Sequence, residues 1–169
     1  MSPADLERTV DINQANLSDV DAIAIDNLGQ VLTDSRIALV AVEPEGRVVG
    51  CCLIIDGSCG YLSDRAAWAL QTSGSGLHID RVVFDMQFSG FGLGLALYNE
   101  LDRRIGESAT LTSTSTSTTT TTTTTTLTSL VRVDPPNQHS VGFHDKRGFV
   151  EIARTQFDGQ QFALTRRRY

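Results

Sequence analysis

The chain opens with alternation over residues 10–13, which predicts a short first strand. Ser18-Asp19-Val20-Asp21 then has the form of a capping box. Apolar residues at Val20, Ala22, Ile23, Ile25, Leu28 and Val31 follow it as a loose helical stripe. The runs 37–42 and 48–55 are apolar and β-rich. Pro44-Glu45-Gly46 between them reads as a turn, so the two runs predict a hairpin. Residues 57–76 read as a long connection that holds the only tryptophan, Trp68. A strand is expected at 77–84, then a glycine-rich turn, then a helix over 93–105. Leu93, Leu97, Leu101 and Ile105 recur there every four residues. Residues 127–133 read as a strand that Asp134-Pro135-Pro136-Asn137 breaks. A short helix is expected at 139–147, with Asn137 or Gln138 near its cap and Gly148 at its stop. Two final strands, 149–157 and 160–165, meet at Asp158-Gly159, a strong hairpin signal.

The length of 169 residues suits one domain spanning 1–169. One segment, at about 109–126, does not fit a packed fold. It is almost pure threonine and serine and offers nothing to bury, so it reads as an exposed insertion. The alternative is that the tract is not native to the chain. No apolar stretch approaches the roughly 18 residues that span a bilayer. The polar, acidic start does not read as a secretory signal, so a soluble cytoplasmic protein without membrane attachment is expected.

The net charge of −6 argues against a nucleic-acid binder, which would carry a basic face. It suits a cationic substrate such as an amine. The one basic cluster, Arg166-Arg167-Arg168, reads as a solvated chain end or, alternatively, as ligand-facing. Cys51, Cys52 and Cys59 are odd in number and two are adjacent, which argues against a disulfide framework. Cys51 and Cys52 are expected on opposite faces of one strand. His139 and His144 lie five apart, a poor spacing for a shared helix face, so no metal site is expected.

The chemistry concentrates in 80–98, which reads strand, glycine turn, helix. A helix start presents unpaired N–H groups and the positive end of its dipole, and glycines let backbone approach a phosphate. Together they form an anion site suited to a pyrophosphate. A P-loop would need Gly-Lys-Ser/Thr, which Gly94-Leu95-Ala96 does not supply. A Rossmann turn would open the first strand–helix unit with G-x-G-x-x-G, whereas these glycines are spaced by two and lie deep in the chain. A tight strand–helix corner without a ligand stays open as an alternative.

Ser89-Gly90-Phe91-Gly92-Leu93-Gly94 resembles motif A of the GNAT superfamily of N-acetyltransferases, Arg/Gln-x-x-Gly-x-Gly/Ala, with serine at the first position. Downstream, 137–149 resembles motif B: Asn137, then Ser140, then Phe143 and Gly148-Phe149. The resemblance covers most of the chain apart from the Thr/Ser tract. It implies an α/β (α+β) fold with a mixed, mostly antiparallel sheet flanked by helices, in which the strands before the two motifs splay apart to admit the cofactor. It implies transfer of acetyl from acetyl-CoA to a primary amine of a small molecule or peptide, and it makes a homodimer plausible. It places Val82, Val83 and Phe84 along the pantetheine arm and the acetyl carbonyl. The backbone of Ser89, Gly90, Phe91, Gly92, Leu93, Gly94 and Leu95 falls at the pyrophosphate, with Asn137, Ser140 and Phe143 on the cofactor from motif B. His144 falls where many relatives carry a tyrosine that protonates the leaving thiolate, and imidazole can donate a proton near neutral pH. A surface role for His144 stays open. Asp80 is a candidate acceptor for the amine proton, with an ion pair to a nearby arginine as its other reading.

The chain departs from the GNAT pattern at several positions. Ser89, Phe91 and Leu95 stand where relatives carry basic or amide side chains, Met86 replaces a usual proline, and Leu130 stands near a usual glutamate. A non-catalytic CoA-binding or regulatory module on the same fold is the rival reading.

Overall fold

The computed structural model describes residues 3–74, 76–112 and 125–169. Five helices and six strands run in the order α1 (Pro3–Gln14), α2 (Ile25–Asp34), β1 (Ile37–Val42), β2 (Val48–Ile55), α3 (Asp64–Ser73), β3 (Leu77–Phe84), α4 (Leu93–Thr112), β4 (Thr126–Asp134), α5 (Gln138–Lys146), β5 (Val150–Phe157) and β6 (Gln160–Arg168). The strands form one sheet in the order β1-β2-β3-β4-β6-β5. All neighbouring pairs are antiparallel except β3 with β4. This is the mixed, mostly antiparallel sheet expected from the sequence.

Strand β2 is buried along its whole length, which explains its unbroken apolar run: a strand covered on both faces has no polar alternation. Cys51 and Cys52 do face opposite ways. Cys51 joins a core with Ile12, Leu28, Val31 and Ala66 under α1, α2 and α3. Cys52 joins a second core with Leu97, Leu101 and Ile105 under α4. Burial pushes the Cys51 thiol up to about 12 and raises Cys52 as well, so neither ionises near neutral pH.

Several expectations are corrected. Residues 10–13 belong to α1, not to a strand: Leu6, Val10 and Asn13 recur at helical spacing, and four alternating residues mimicked a strand. The expected capping box does not cap. α2 begins at Ile25 behind Ala24, which makes no side-chain cap. Asp19 and Asp21 instead pair with Arg132 and Arg65, both at 3.0 Å. The connection 57–76 contains α3, capped by Ser63, whose side chain accepts from the Ala66 N–H, and stopped at Gly74. The Arg166–Arg168 run is not a loose end. It lies in β6 between β4 and β5, and Arg167 pairs with Asp102 of α4 at 3.1 Å. Of the Thr/Ser tract, the first residues continue α4 to Thr112 and the last opens β4 at Thr126; residues 113–124 lie outside the described residues. No helix among the described residues is long and apolar enough to cross a membrane.

Candidate functional site

Strands β3 and β4 pair only over Leu77, His78 and Ile79, opposite Leu127, Thr128 and Ser129. Beyond that they part. A bulge in β3 drives the parting: Ile54 faces Ile79 and Leu53 faces Arg81, so Asp80 is one residue in excess. The bulge also exchanges the faces of the strand. Ile79 belongs to the α4 core, and past the bulge it is Val82 and Phe84 that pack there, while Val83 enters the α1–α3 core. The edge of β3 that β4 abandons carries backbone groups of Val82, Val83 and Phe84 into a cleft of about 990 Å3.

One half of the cleft is a phosphate-shaped corner. Asn16 of the α1–α2 loop donates to the Phe84 carbonyl at 3.0 Å, and Arg8 pairs with Asp85, so α1 pins the end of β3. Asp85 then caps a single 3-10 turn by accepting from the Gln87 N–H at 3.0 Å. Gly90 and Gly92 follow at φ of 84° and 77°, a left-handed backbone that only glycine adopts without strain. A Cβ at either would meet nothing within 4 Å, so the space beside them is open. The first bond of α4 runs from the Ala96 N–H to the Gly92 carbonyl at 3.0 Å. The amides of Leu93, Gly94 and Leu95 precede it and have no partner within the helix. Turn and helix start therefore offer a cluster of N–H donors at the positive end of a dipole.

The residues next to this corner in sequence are mostly apolar, while Lys146 and Arg147 of the α5 end line the same cleft. No lysine or arginine occurs between Arg81 and Arg103. Met86, Phe91 and Leu95 are exposed, Phe91 at 74%, and Phe91 leans on Phe88 with ring centres 6.1 Å apart. Ser89, the first residue of motif A, lines the cleft beside Gly90.

Helix α5 closes the same half. Asn137 is its N-cap and accepts from the Ser140 N–H at 3.0 Å. Phe143 sets its ring edge-on to Tyr98 of α4 at 4.8 Å. His144 is buried, not on the helix surface. Its Nδ1 lies 2.8 Å from the Ser140 carbonyl, which can only accept, so Nδ1 carries the hydrogen. Burial lowers its pKa and keeps the ring neutral. Nε2 is then a lone-pair nitrogen, and Tyr98 donates its O–H to it at 3.0 Å. Both imidazole nitrogens are thus engaged inside the protein, Nδ1 with the Ser140 carbonyl and Nε2 with the Tyr98 hydroxyl.

The other half of the cleft is lined by ion pairs. Asp80 and Arg81 meet at 2.6 Å with both side chains almost fully buried. Arg81 also donates to the Asn13 side-chain oxygen at 2.7 Å. Asp80 thus takes the ion-paired arrangement that its second reading foresaw. Arg132 of β4 donates to the Ser18 carbonyl and pairs with Asp19, and Arg65 pairs with Asp21 above the Phe162 ring. Leu130 lines the cleft from β4. His78 also lines it, buried beside Thr128. Sequence reasoning missed His78 and Tyr98. One is a polar residue in a strand that also carries Asp80 and Arg81, and the other sits next to a leucine stripe, so neither leaves a periodic signal.

No protein-family model and no curated protein matches the chain. Solved structures do match. The ribosomal-protein-S18-alanine N-acetyltransferase from Escherichia coli superposes with a TM-score of 0.66 at 13% identity, over 99% of this chain and 90% of that one. An aminoglycoside 6'-N-acetyltransferase in complex with coenzyme A gives 0.67 at 12% identity, over 99% and 92%. A structure from Bordetella pertussis assigned to the GnaT acetyltransferase family gives 0.59 at 14% identity, over 86% and 78%. The fold is that of the GNAT acetyltransferases.

Proposed function

We propose that this protein is an acetyl-CoA-dependent N-acetyltransferase acting on a primary amine of a small molecule or peptide. One observation carries the reading: the abandoned edge of β3 leads directly into the left-handed Gly90–Gly92 turn and the free amides of α4. An extended amide-bearing arm ending in a pyrophosphate fits that sequence of groups, and the open space beside both glycines admits it. The likeness in fold to an enzyme solved with coenzyme A supports the same assignment.

Acetyl-CoA supplies an activated thioester. The Val82–Phe84 edge aligns its arm, and the amides of Gly90 to Leu95 hold its phosphates. Asn137, Ser140 and Phe143 border it from α5. A backbone N–H near Val83 meets the carbonyl oxygen as it gains charge. Asp80, held against Arg81, places its charge on the acceptor side, where the amine proton leaves. On the thiol side, the Tyr98–His144 pair borders the cleft, where the sulfur leaves.

Calorimetry with acetyl-CoA tests the reading, on the native chain and on Gly92→Glu. Binding by the native chain and its loss in the variant are expected. Native chain that fails to bind at millimolar ligand removes the acetyltransferase assignment. The engaged nitrogens of His144 favour a second reading, a CoA-binding module without turnover. Binding with no thiol release across a panel of amines would establish it.

A further inference from the structure

His78 is a buried titratable group in the cleft that the scheme above leaves idle. It stands on β3 where β3 and β4 are still paired, at the floor of the acceptor half, and is 2% exposed. Its Nδ1 is 3.0 Å from the Thr128 hydroxyl oxygen. Thr128 gives its own hydrogen to the Leu77 carbonyl at 3.2 Å, so toward His78 it accepts. The hydrogen of the neutral ring is therefore on Nδ1, and Nε2 is left with a lone pair. Nε2 has no partner among the described residues and is not sealed in the core, since the fully buried side-chain atoms without a partner are Arg132 Nε and Arg147 Nε and His78 lines the cleft. Charged groups around this half of the cleft are Asp80 with Arg81 on the same strand and Arg65 with Asp21 near α3. Strand β4 adds Arg132, which pairs with Asp19, and lines the cleft with Ser129, Leu130 and Val131.

We infer that Nε2 of His78 is the proton acceptor for the attacking amine, directly or through one water, with Asp80 as the fixed charge that steadies the imidazolium. This rests on the acetyltransferase reading and deepens it. Asp80 is the poorer acceptor because its carboxylate already binds the Arg81 guanidinium at 2.6 Å. In the step, the neutral amine nitrogen bonds to the thioester carbonyl carbon, and the carbon–sulfur bond breaks. One N–H proton passes to Nε2, and the sulfur leaves as thiolate.

Two measurements test it. The first is the rate of thiol release with acetyl-CoA, using an alkylamine, a polyamine, an aminoglycoside and a tripeptide with a free N-terminus. The fastest of these is then used to compare the native chain with His78→Asn. Asparagine keeps a donor for Thr128 but removes the lone-pair nitrogen. A fall in kcat/KM of about 100-fold or more is expected, with acetyl-CoA affinity unchanged. Equal rates would overturn the role of His78 and leave the transferase reading intact. A native chain that binds acetyl-CoA but turns over none of the amines would overturn both. The second measurement is the nitrogen-15 spectrum of the His78 ring in the native protein at pH 7, which needs no variant to fold. Hydrogen on Nδ1 and a bare Nε2 are expected, and the opposite tautomer would overturn the inference.

Discussion

Tyr98 and His144, 46 residues apart, share a hydrogen bond of 3.0 Å in which the phenol donates and the imidazole accepts. The bond joins α4, which begins at the glycine turn, to α5, which is capped by Asn137. Tyr98→Phe removes the donor and leaves a buried Nε2 without a partner. A loss of about 1–3 kcal/mol in unfolding free energy is expected, measured by urea titration. In the same variant the Ser140 carbonyl still holds the hydrogen on Nδ1, so nitrogen-15 spectra should show the same tautomer with a shifted, unbonded Nε2.

Two histidines make the fold sensitive to acid. Burial pushes His78 down to about 4 and lowers His144 in the same direction. Unfolded histidine takes up a proton near 6.5, whereas His78 in the folded chain does not until about 4. The unfolded state thus binds more protons between these values, so stability falls as pH falls through that window and is complete above it. For His78 alone the loss at pH 4 is on the order of 3 kcal/mol. Denaturant midpoints across pH 4 to 8 check this. Replacing His78 by asparagine should flatten the curve.

The Asp80–Arg81 pair is costly to halve. Arg81→Met leaves a carboxylate buried without its cation, and a loss of about 3–5 kcal/mol is expected. Adding Asp80→Asn in the same chain should recover much of that loss, because the stranded charge is gone. Unfolding of both variants and of the native chain measures the difference.

In the proposed site, the turn itself offers phosphate only amides and a helix dipole, since no cation lies between Arg81 and Arg103 in sequence. The salt dependence of acetyl-CoA binding should therefore come from Lys146 and Arg147 across the cleft and be modest. Phe91→Arg would put a cation beside the turn, raise affinity several-fold at low ionic strength, and make binding salt-sensitive. Calorimetry at low and high salt compares the two proteins.

The sheet was legible because its strands are apolar runs bounded by turn residues. β1, β2 and β3 fall where hydrophobicity places them, and Asp158 at φ 50° followed by Gly159 at φ 75° makes the expected hairpin. α3 was not legible. Its sequence has few large apolar residues, and Ser63 caps it without the glutamate three residues on that marks a capping box. The glycine turn was legible from spacing, since left-handed backbone restricts residue choice. The bulge at Asp80 was not, because register belongs to two strands together and no single run encodes it. His78 and Tyr98 gain meaning only from Thr128 and His144, which lie 50 and 46 residues away.

The extra residue in β3 works like a shift in phase. Up to Ile79, odd-numbered side chains point toward α4, and from Val82 on, even-numbered ones do. Each half of the cleft thus obeys its own parity, and Asp80 is where the count changes. Deleting that single residue would remove more than a carboxylate. It would leave β3 a regular strand with Ile79, Val82 and Phe84 all still toward α4, and would draw it back against β4 and shut the opening between them.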